Sequence, residues 1–189
     1  MLHHLGTTSL ETERLVLRRF MVEDAEAMYR NWANDPEVTR YLTWPSHVSV
    51  EVTRQLLAEW VSKYENKDFY NWAIVSKANG EAVGNVSFVS IQENIDEAVL
   101  GYVLSRRLWG QGYMPEACRA VFDFGFTQIG LNRIEAAHHT ENPKSGRVMQ
   151  KLGMIYEGLK RQANRDNQGN LCDTMHYAIL KQDWGHPYE

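Results

Sequence analysis

Cysteine is scarce in this chain of 189 residues, which contains only Cys118 and Cys172. The two residues lie far apart and outside a C-x-x-C spacing. The simplest account is a pair of free thiols in a reducing cytoplasm, because disulfides seldom persist there. We therefore expect a cytoplasmic protein.

Positive charge is not in excess either. Lys and Arg number 20 against 24 acidic residues, which leaves a formal net charge of −4. A dedicated nucleic-acid-binding protein normally carries a basic surplus. The balance therefore argues against nucleic acid as a partner.

Long apolar runs are also missing. The longest uncharged apolar runs are far shorter than the about 20 residues that a membrane-spanning helix needs. The N-terminus, MLHHLGTTSLETER, lacks a basic region followed by an apolar stretch and so does not resemble a secretory signal. We expect no membrane partner.

What the chain does contain is typical of a globular protein, with 43% hydrophobic and 11% aromatic residues. Alternating and helical apolar spacings follow one another without an internal repeat, low-complexity tract or linker. They predict one α+β domain over residues 10–186 with a mostly antiparallel sheet. We expect helices over residues 22–35, from 49 to about 64 and over 142–153, and a further helix whose apolar stripe runs over 117–124 and which stops near residue 130. We expect strands over 14–20, 70–76, 81–91, 96–104, 132–139, 154–162 and 174–184.

A glycine-rich turn lies between a predicted strand and a predicted helix, in RRLWGQGYMPEA at residues 106–117. Gly110 and Gly112 flank Gln111, but no lysine follows as in a P-loop, and Pro115 replaces the third glycine of a dinucleotide fingerprint. Such a turn points successive backbone N–H groups at one spot, where the helix dipole adds positive charge. It suits a pyrophosphate bound without lysine, although a Gly-x-Gly before a helix is more often only a turn.

The order of elements resembles the GNAT family of acetyl-CoA-dependent N-acetyltransferases over roughly Leu10 to Trp184. Within that family it is most similar to the ribosomal-protein N-terminal (alanine/serine) acetyltransferase subgroup. The resemblance implies the GNAT acyl-CoA N-acyltransferase fold, a mixed, mostly antiparallel central sheet flanked by helices, with acetyl-CoA as co-substrate and no metal. The matching segments are ETERLVLRRF, NDPEVTRYL, GYVLSRRLWGQGYMPEA, ENPKSGRVMQKLGM, YEG and DTMHYAILKQDW.

The family pattern Gln/Arg-x-x-Gly-x-Gly/Ala fits the turn in two registers, starting at Arg107 or at Trp109. We choose the second, since it keeps the family's distance from Leu104 at the end of the preceding strand. Met114 then replaces a small residue and is expected to narrow the approach to the pyrophosphate. The resemblance implies that amides of Gly110, Gln111, Gly112, Tyr113 and Met114 surround the pyrophosphate. It also implies that backbone groups of Tyr102, Val103 and Leu104 pair with the pantetheine arm. By their charge, the candidates for the 3′-phosphate are Arg106, Arg107, Lys144, Arg147 and Lys151, and each is equally well a solvated surface residue.

Two polar residues lie at the start of the predicted helix NPKSGRVMQKLG. Asn142 is either a plain helix N-cap or, as the resemblance implies, a cofactor contact. Ser145 shares a helix stripe with Val148 and Met149, so its hydroxyl needs a partner. That partner is either a backbone carbonyl one turn back or the cofactor sulfur. Met149 stands where many GNAT enzymes have a tyrosine acid, and the related subgroup implies that Ser145 stabilises the leaving thiolate instead.

The general base is not evident. Related enzymes often have a glutamate at the position of Val99, and Glu97 lies two residues earlier on the same face of the strand. Glu97 is either a base that acts through water or a solvated strand residue. His138 and His139 point to opposite faces of one strand and so cannot form a metal pair. We expect no metal site.

These observations predict an N-acetyltransferase that moves an acetyl group directly from acetyl-CoA to a primary amine in a ternary complex. Neither cysteine matches a family nucleophile position, so no acyl-enzyme is expected. The acceptor is expected to be the N-terminal α-amine of a protein such as a ribosomal protein, and Tyr41 and Trp44 either line its groove or pack in the core. The alternatives are a small amine or antibiotic as acceptor, or a non-catalytic acyl-CoA sensor. The chain is expected to be a monomer or a homodimer.

Overall fold

The computed structural model describes residues 1–185 and shows an eight-stranded sheet in the order β1-β2-β3-β4-β5-β6-β8-β7. All neighbours are antiparallel except β5 and β6. The strands are β1 (Leu10–Glu11), β2 (Leu15–Arg18), β3 (Tyr70–Ser76), β4 (Ala82–Gln92), β5 (Glu97–Leu104), β6 (Arg133–His139), β7 (Ile155–Arg165) and β8 (Leu171–Leu180).

Within residues 1–185, five α-helices connect or cover these strands. Two of them run on into π-helical turns, over Tyr29–Ala33 after the first helix and over Gly125–Ile129 after the fourth. The α-helices are α1 (Ala25–Met28), α2 (Pro36–Thr39), α3 (Val50–Lys63), α4 (Tyr113–Phe124) and α5 (Pro143–Lys151).

The sheet separates two apolar clusters, as its alternating side chains require. On β3, Trp72 and Ile74 belong to the cluster under α4 and α5, while Ala73 and Val75 belong to the cluster under α1 and α3. The first cluster holds Cys118, Val121, Phe122 and Met149 from the helices, and the second holds Met28, Trp32 and Leu57. The predicted α+β fold with a mixed, mostly antiparallel sheet flanked by helices is confirmed.

The parallel contact between β5 and β6 is short. It comprises only the pairs Glu97–Arg133, Ala98–Ile134 and Val99–Glu135. Beyond Val99, β5 remains paired with β4 as far as Leu104 but no longer with β6. The two strands therefore diverge and open a V-shaped cleft in the middle of the sheet.

Several element boundaries differ from the prediction. The helix expected over residues 22–35 is a 3-10 turn, α1 and a π-helical turn in succession. The last two strands extend into the polar segment that we expected to be a loop, leaving a five-residue turn at 166–170. Strand β1 was not predicted, because two residues are too few for a period-2 pattern. Within residues 1–185, no helix is both long and apolar enough to cross a membrane.

Candidate functional site

The cleft between β5 and β6 leaves one backbone edge of β5 without a strand neighbour along Leu100–Leu104. Backbone N–H and C=O groups on such an edge need partners, and an extended chain placed beside it can supply them. Of the three residues expected to pair with the pantetheine arm, Tyr102 directs its backbone groups to this edge, whereas the backbone groups of Val103 face β4, where Val103 pairs with Asn85.

Leu104, the third, differs in one respect. Its carbonyl already accepts a hydrogen bond from the indole Nε1 of Trp109 at 2.9 Å. Trp109, the residue that departs from the family's Gln/Arg, thus closes the end of β5. Lys144 of α5 lies over the same indole, with Nζ 4.5 Å from the ring centroid, and so joins the turn to the other side of the cleft.

The glycine turn after β5 has the backbone conformation that an anion site requires. Gly110 and Gly112 have φ values of +77° and +82°, which favour glycine. A Cβ placed on Gly110 would meet no other atom within 4 Å, so the space in front of this residue is open. Gly112 is the N-cap of α4, and the amides of the turn therefore face the positive end of a helix. The residues present fit a pyrophosphate.

Met114 does not narrow this approach, contrary to our expectation. Its side chain is buried in the cluster between α4 and the sheet. Only the backbone of Met114 faces the turn, because the helix directs the side chain toward the core. When the family pattern is aligned from Trp109, its last residue is Met114. The side chain of Met114 therefore does not clash with a pyrophosphate bound at the turn.

Arg14 and Glu116 hold the glycine turn in place, and we call this pair of residues the brace. Arg14 Nε donates to Glu116 Oε2 at 2.6 Å, and Arg14 Nη1 donates to the Gln111 carbonyl at 3.1 Å. The guanidinium also lies over the Tyr113 ring, 3.9 Å from its centroid. Burial opposes the charge on Glu116, but hydrogen bonds from Thr12 and Arg14 outweigh it and hold the pKa of Glu116 below its ordinary value. The sequence gives no local sign of this brace, since 102 residues separate its two ends.

The candidate ligands for a 3′-phosphate are spread around the turn. Arg106 Nε lies 3.0 Å from Asp35 Oδ2, and Arg107 Nη2 lies 3.6 Å from Glu81 Oε2. Both arginines therefore already have carboxylate partners. Lys144 is the candidate whose ammonium group lies at the turn itself. Arg147 and Lys151 are exposed farther along α5.

Asn142 caps α5 as the sequence predicts. Its side-chain oxygen accepts from the amide of Ser145 at 3.4 Å, Pro143 is the first helical residue, and Gly153 follows the helix with φ +78°. The cap leaves the Asn142 side-chain amide nitrogen available at the mouth of the cleft. A capping role and a ligand contact are therefore compatible.

In this structure Ser145 has a protein partner that we did not expect. Ser145 Oγ lies 2.9 Å from the phenol oxygen of Tyr102, which also donates to the Ser145 carbonyl at 3.0 Å. Burial raises the pKa of the Tyr102 phenol above its ordinary value, so the group remains protonated. A tyrosine hydroxyl therefore reaches the start of α5 from β5. Sequence reasoning missed this contact because it considered only the backbone of Tyr102.

Glu97 has neither of the roles that we considered. Its side chain is buried, accepts from Gln92 Nε2 at 2.9 Å and forms an ion pair with Arg133. It lies at the closed end of the cleft, where β5 and β6 are still paired. A buried carboxylate that is held by a guanidinium at the closed end is not placed to contact the acceptor, so we assign Glu97 to the structure of the sheet. It is not a solvated strand residue either.

The two adjacent histidines of β6 face opposite sides of the sheet, as predicted. His138 is buried and stacks on Tyr177, and burial lowers its pKa. Its Nε2 has no hydrogen-bond partner and points at Gly146, where a Cβ would lie 2.6 Å away. His139 instead packs against Tyr41, with ring centroids 5.1 Å apart. Among residues 1–185, no three His, Cys, Asp or Glu side chains come together as a metal site requires.

A pocket of about 320 Å³ lies on the His139 side of the sheet. The segment around α2 forms one wall and the turn between β7 and β8 forms the other. A hydrogen bond from Asn167 Nδ2 to the Thr39 carbonyl, 2.9 Å long, ties the two walls together. Trp44 is not part of the lining, because it packs against the α1–α3 cluster. The lining residues include Thr39, Arg40, Tyr41, His139, Glu141 and Asp166.

A divided sheet followed by a glycine turn at the start of a helix is the arrangement expected of an acyl-CoA-dependent transferase. The family model for the acetyltransferase (GNAT) domain matches residues 14–155. The chain belongs to the GNAT acetyltransferase family, and its acetyl donor is acetyl-CoA. The structure supplies the turn and the free strand edge that this donor requires.

Similar proteins agree over almost the whole chain. The uncharacterized N-acetyltransferase p20 of Bacillus licheniformis is 33% identical, over 93% of this chain and 98% of its own. The uncharacterized N-acetyltransferase YoaA of Bacillus subtilis is 34% identical, over 91% and 96%. Among solved structures, ribosomal-protein-S5-alanine acetyltransferase from Vibrio fischeri is 25% identical with a TM-score of 0.81, covering 94% of this chain and 98% of that one.

Proposed function

We propose that this enzyme acetylates the N-terminal α-amine of a protein, by direct transfer from acetyl-CoA bound in the cleft between β5 and β6. The observation that carries the proposal is the pocket at the end of β6, the strand that also forms one side of this cleft. His139, the last residue of this strand, lines the pocket. An amine held in the pocket can therefore reach a thioester held in the cleft.

The chemistry of the pocket suits the end of a peptide. Its volume, about 320 Å³, accommodates one or two residues. Glu141 is exposed at its rim, and the Asp166 carboxylate lies beside it. These carboxylates favour the N-terminal ammonium group of a peptide, and Tyr41 offers an apolar surface to the side chain of the first residue of that peptide.

Ser145 and Tyr102 are proposed to act on the leaving group. When the amine attacks the thioester carbonyl and the C–S bond breaks, negative charge develops on sulfur. The Tyr102 phenol and the Ser145 hydroxyl, which touch each other, can donate a hydrogen bond and then a proton to that sulfur. Asn142 and the amides from Gly110 to Met114 are proposed to orient the donor.

Direct transfer agrees with the environment of Cys118. This thiol is fully buried in α4, and burial raises its pKa, so a nucleophilic thiolate does not form there. The proposal of a protein acceptor is supported further by the name of the Vibrio fischeri relative, a ribosomal-protein-S5-alanine acetyltransferase. We extend these proposals to a cytoplasmic enzyme, in keeping with its free thiols.

The experiment compares wild type with Glu141→Gln and with the control Glu65→Gln, which removes the same charge from an exposed site outside the pocket. The acceptor is a peptide with a free N-terminus. We expect Glu141→Gln to raise the peptide KM about threefold, because an exposed carboxylate attracts the ammonium only modestly. Glu65→Gln should leave KM unchanged, and neither change should affect acetyl-CoA binding. An unaltered KM in Glu141→Gln contradicts the acceptor position, and absence of N-terminal acetylation contradicts the proposed function.

A further inference from the structure

A carboxylate and an imidazole lie in contact beside the vertex of the cleft. Glu135 is the β6 residue in the last pair that β5 and β6 share, opposite Val99. His176 Nδ1, on β8, lies 2.6 Å from Glu135 Oε1. The two side chains are 18% and 15% exposed, so the pair is shielded but still reachable.

The position of Glu135 bears directly on the missing base. Val99 stands where a strand glutamate was expected, and paired residues of neighbouring strands direct their side chains to the same face of the sheet. The carboxylate absent from β5 at Val99 is therefore present on the next strand, at Glu135. The Arg133–Glu97 ion pair lies one pleat farther into the closed end.

The pair also lies on the acceptor side of the sheet. Glu135, Ala137 and His139 alternate along β6 and share one face. His139 lines the acceptor pocket, and Ala137 is exposed. His176 lies directly opposite Ala137 in the β6–β8 ladder. Because Ala137 carries only a methyl group, nothing on β6 between the pocket and the vertex covers the imidazole.

We propose that Glu135 and His176 form the proton acceptor for the incoming amine. With Nδ1 donating to Glu135, the lone pair of the neutral ring is on Nε2. Thr174 Oγ1 lies 2.9 Å from Nε2. Its hydroxyl can donate to Nε2 when the ring is neutral and accept from it when the ring is protonated, so both states of His176 have a partner.

The proton balance of the transfer is complete with these groups. The ammonium of the acceptor gives one proton to His176 Nε2, directly or through a water molecule, and the freed nitrogen lone pair forms the C–N bond with the thioester carbonyl carbon. The C–S bond then breaks, and the thiolate gains a proton from Tyr102 and Ser145. The second proton of the nitrogen passes through water to restore these hydroxyls, and His176 releases the first proton to solvent. One proton thus ends on the thiol and one passes to solvent.

Several charged groups surround the pair and set its pH dependence. Arg133 Nη2 lies 3.6 Å from Glu135 Oε2 and also binds Glu157 of β7. Lys160 of β7 and His139 of β6 both pair with Thr174 across the sheet. From the helical side, Arg40 lines the same pocket as His139. The pH profile of each variant of the pair must therefore be compared with that of a control variant in which all of these charged groups are unchanged.

The test uses His176→Gln, Glu135→Gln and a control, His4→Gln. His4 makes the same type of contact, with Nε2 2.7 Å from Glu93 Oε1, at a site that does not line the cleft or the pocket. We expect His176→Gln to lower kcat/KM for the amine about a hundredfold near pH 7. The deficit should shrink as the pH approaches the pKa of the amine itself, about 8 for an α-amine, because the amine then needs no base. Glu135→Gln should act in the same direction, and His4→Gln should match wild type.

A second readout does not depend on turnover. Histidine-ring nitrogen NMR should show His176 protonated at Nδ1 in wild type, and Glu135→Gln should lose this tautomer preference. Acetyl-CoA affinity by calorimetry should be the same in all four proteins. An unchanged kcat/KM in His176→Gln, or a deficit equal at every pH, overturns the assignment.

This inference rests on the proposed function only in requiring an amine acceptor. If wild type acetylates a small amine or lysine instead of an N-terminus, the proposed function fails, and the same variants test the base with that amine. If an N-terminus is acetylated but the variants keep the wild-type profile, the base assignment fails alone. If wild type acetylates no amine, both fail.

Discussion

The phenol oxygen of Tyr102 lies 2.9 Å from Oγ of Ser145, joining β5 to the first turn of α5 across the cleft. Tyr102 comes from β5, whose free edge is proposed to face acetyl-CoA. Ser145 comes from α5, on the other side of the cleft. The two hydroxyls in contact at this point form a candidate proton donor that neither β5 nor α5 provides alone. We propose that this phenol takes the place of the tyrosine acid that the chain lacks at Met149.

We expect Ser145→Ala and Tyr102→Phe each to lower kcat about ten- to a thousandfold while acetyl-CoA affinity stays close to wild type, the pattern of groups used mainly in the transition state. Because the two hydroxyls act as a unit, the double variant should lose little more than the worse single variant. Steady-state kinetics and calorimetry measure both quantities. Full turnover in either single variant, or strictly additive losses in the double variant, contradicts a shared donor.

The glycine turn is tested by Gly110→Ala, with Gly130→Ala as a matched control. Both glycines have left-handed φ values, +77° and +89°, and neither has an atom within 4 Å of the position that a Cβ would occupy. Backbone strain should therefore cost both variants about 1 kcal/mol of stability. Only Gly110 faces the proposed pyrophosphate, so only Gly110→Ala should weaken acetyl-CoA binding, by about tenfold or more, since the new methyl group occupies ligand space. Equal affinities by calorimetry contradict the phosphate assignment.

Glu116→Gln tests the brace beneath the turn. The pKa of Glu116 is held below the ordinary value of 4.5 in the folded protein, so its charge stabilises the fold above that pH and the contribution is lost as the pH falls through the lower folded value. We expect a loss of about 1 kcal/mol near pH 7, discounted because the Arg14 side chain is partly exposed. Thermal unfolding at several pH values should show this difference disappear in acid. A difference that stays constant as the pH falls well below 4.5 contradicts the electrostatic account.

Glu97→Gln distinguishes a structural role of Glu97 from a role as the general base. Removing one partner of a buried ion pair leaves the Arg133 charge poorly compensated, and such changes cost about 3 kcal/mol or more. We expect a clear fall in thermal stability with kcat largely retained at a temperature where the variant is folded. A severe loss of kcat with unchanged stability would return Glu97 to the role of base.

Much of this site could be predicted from local patterns. The turn around Gly110 and Gly112, the capped helix at Asn142 and the stripe that carries Ser145 depend on residues within one or two turns of each other. Their geometry follows from glycine conformations and capping, which the order of residues alone reveals. The prediction failed where a residue's role depends on a distant partner.

Glu97 and Tyr102 show why the sequence could not predict contacts between distant residues. Sequence reasoning placed Glu97 on a strand face but could not show that Arg133, 36 residues later, would bind it. The Tyr102 phenol meets Ser145 across 43 residues, and Glu135 meets His176 across 41. Such contacts depend on which strands become neighbours and in what register, and a one-residue shift would move each of these side chains to the other face.

The central claim is transfer to an α-amine, and paired peptides test it most directly. The two peptides share one lysine-containing sequence, one with a free and one with a blocked N-terminus, and mass spectrometry locates the acetyl group. At pH 7.4, roughly a quarter of α-amines with a pKa of about 7.7–8.0 are neutral, but only about one lysine in a thousand is. We predict acetylation at the free N-terminus and almost none on the blocked peptide. Equal acetylation of lysine in both peptides would contradict the account.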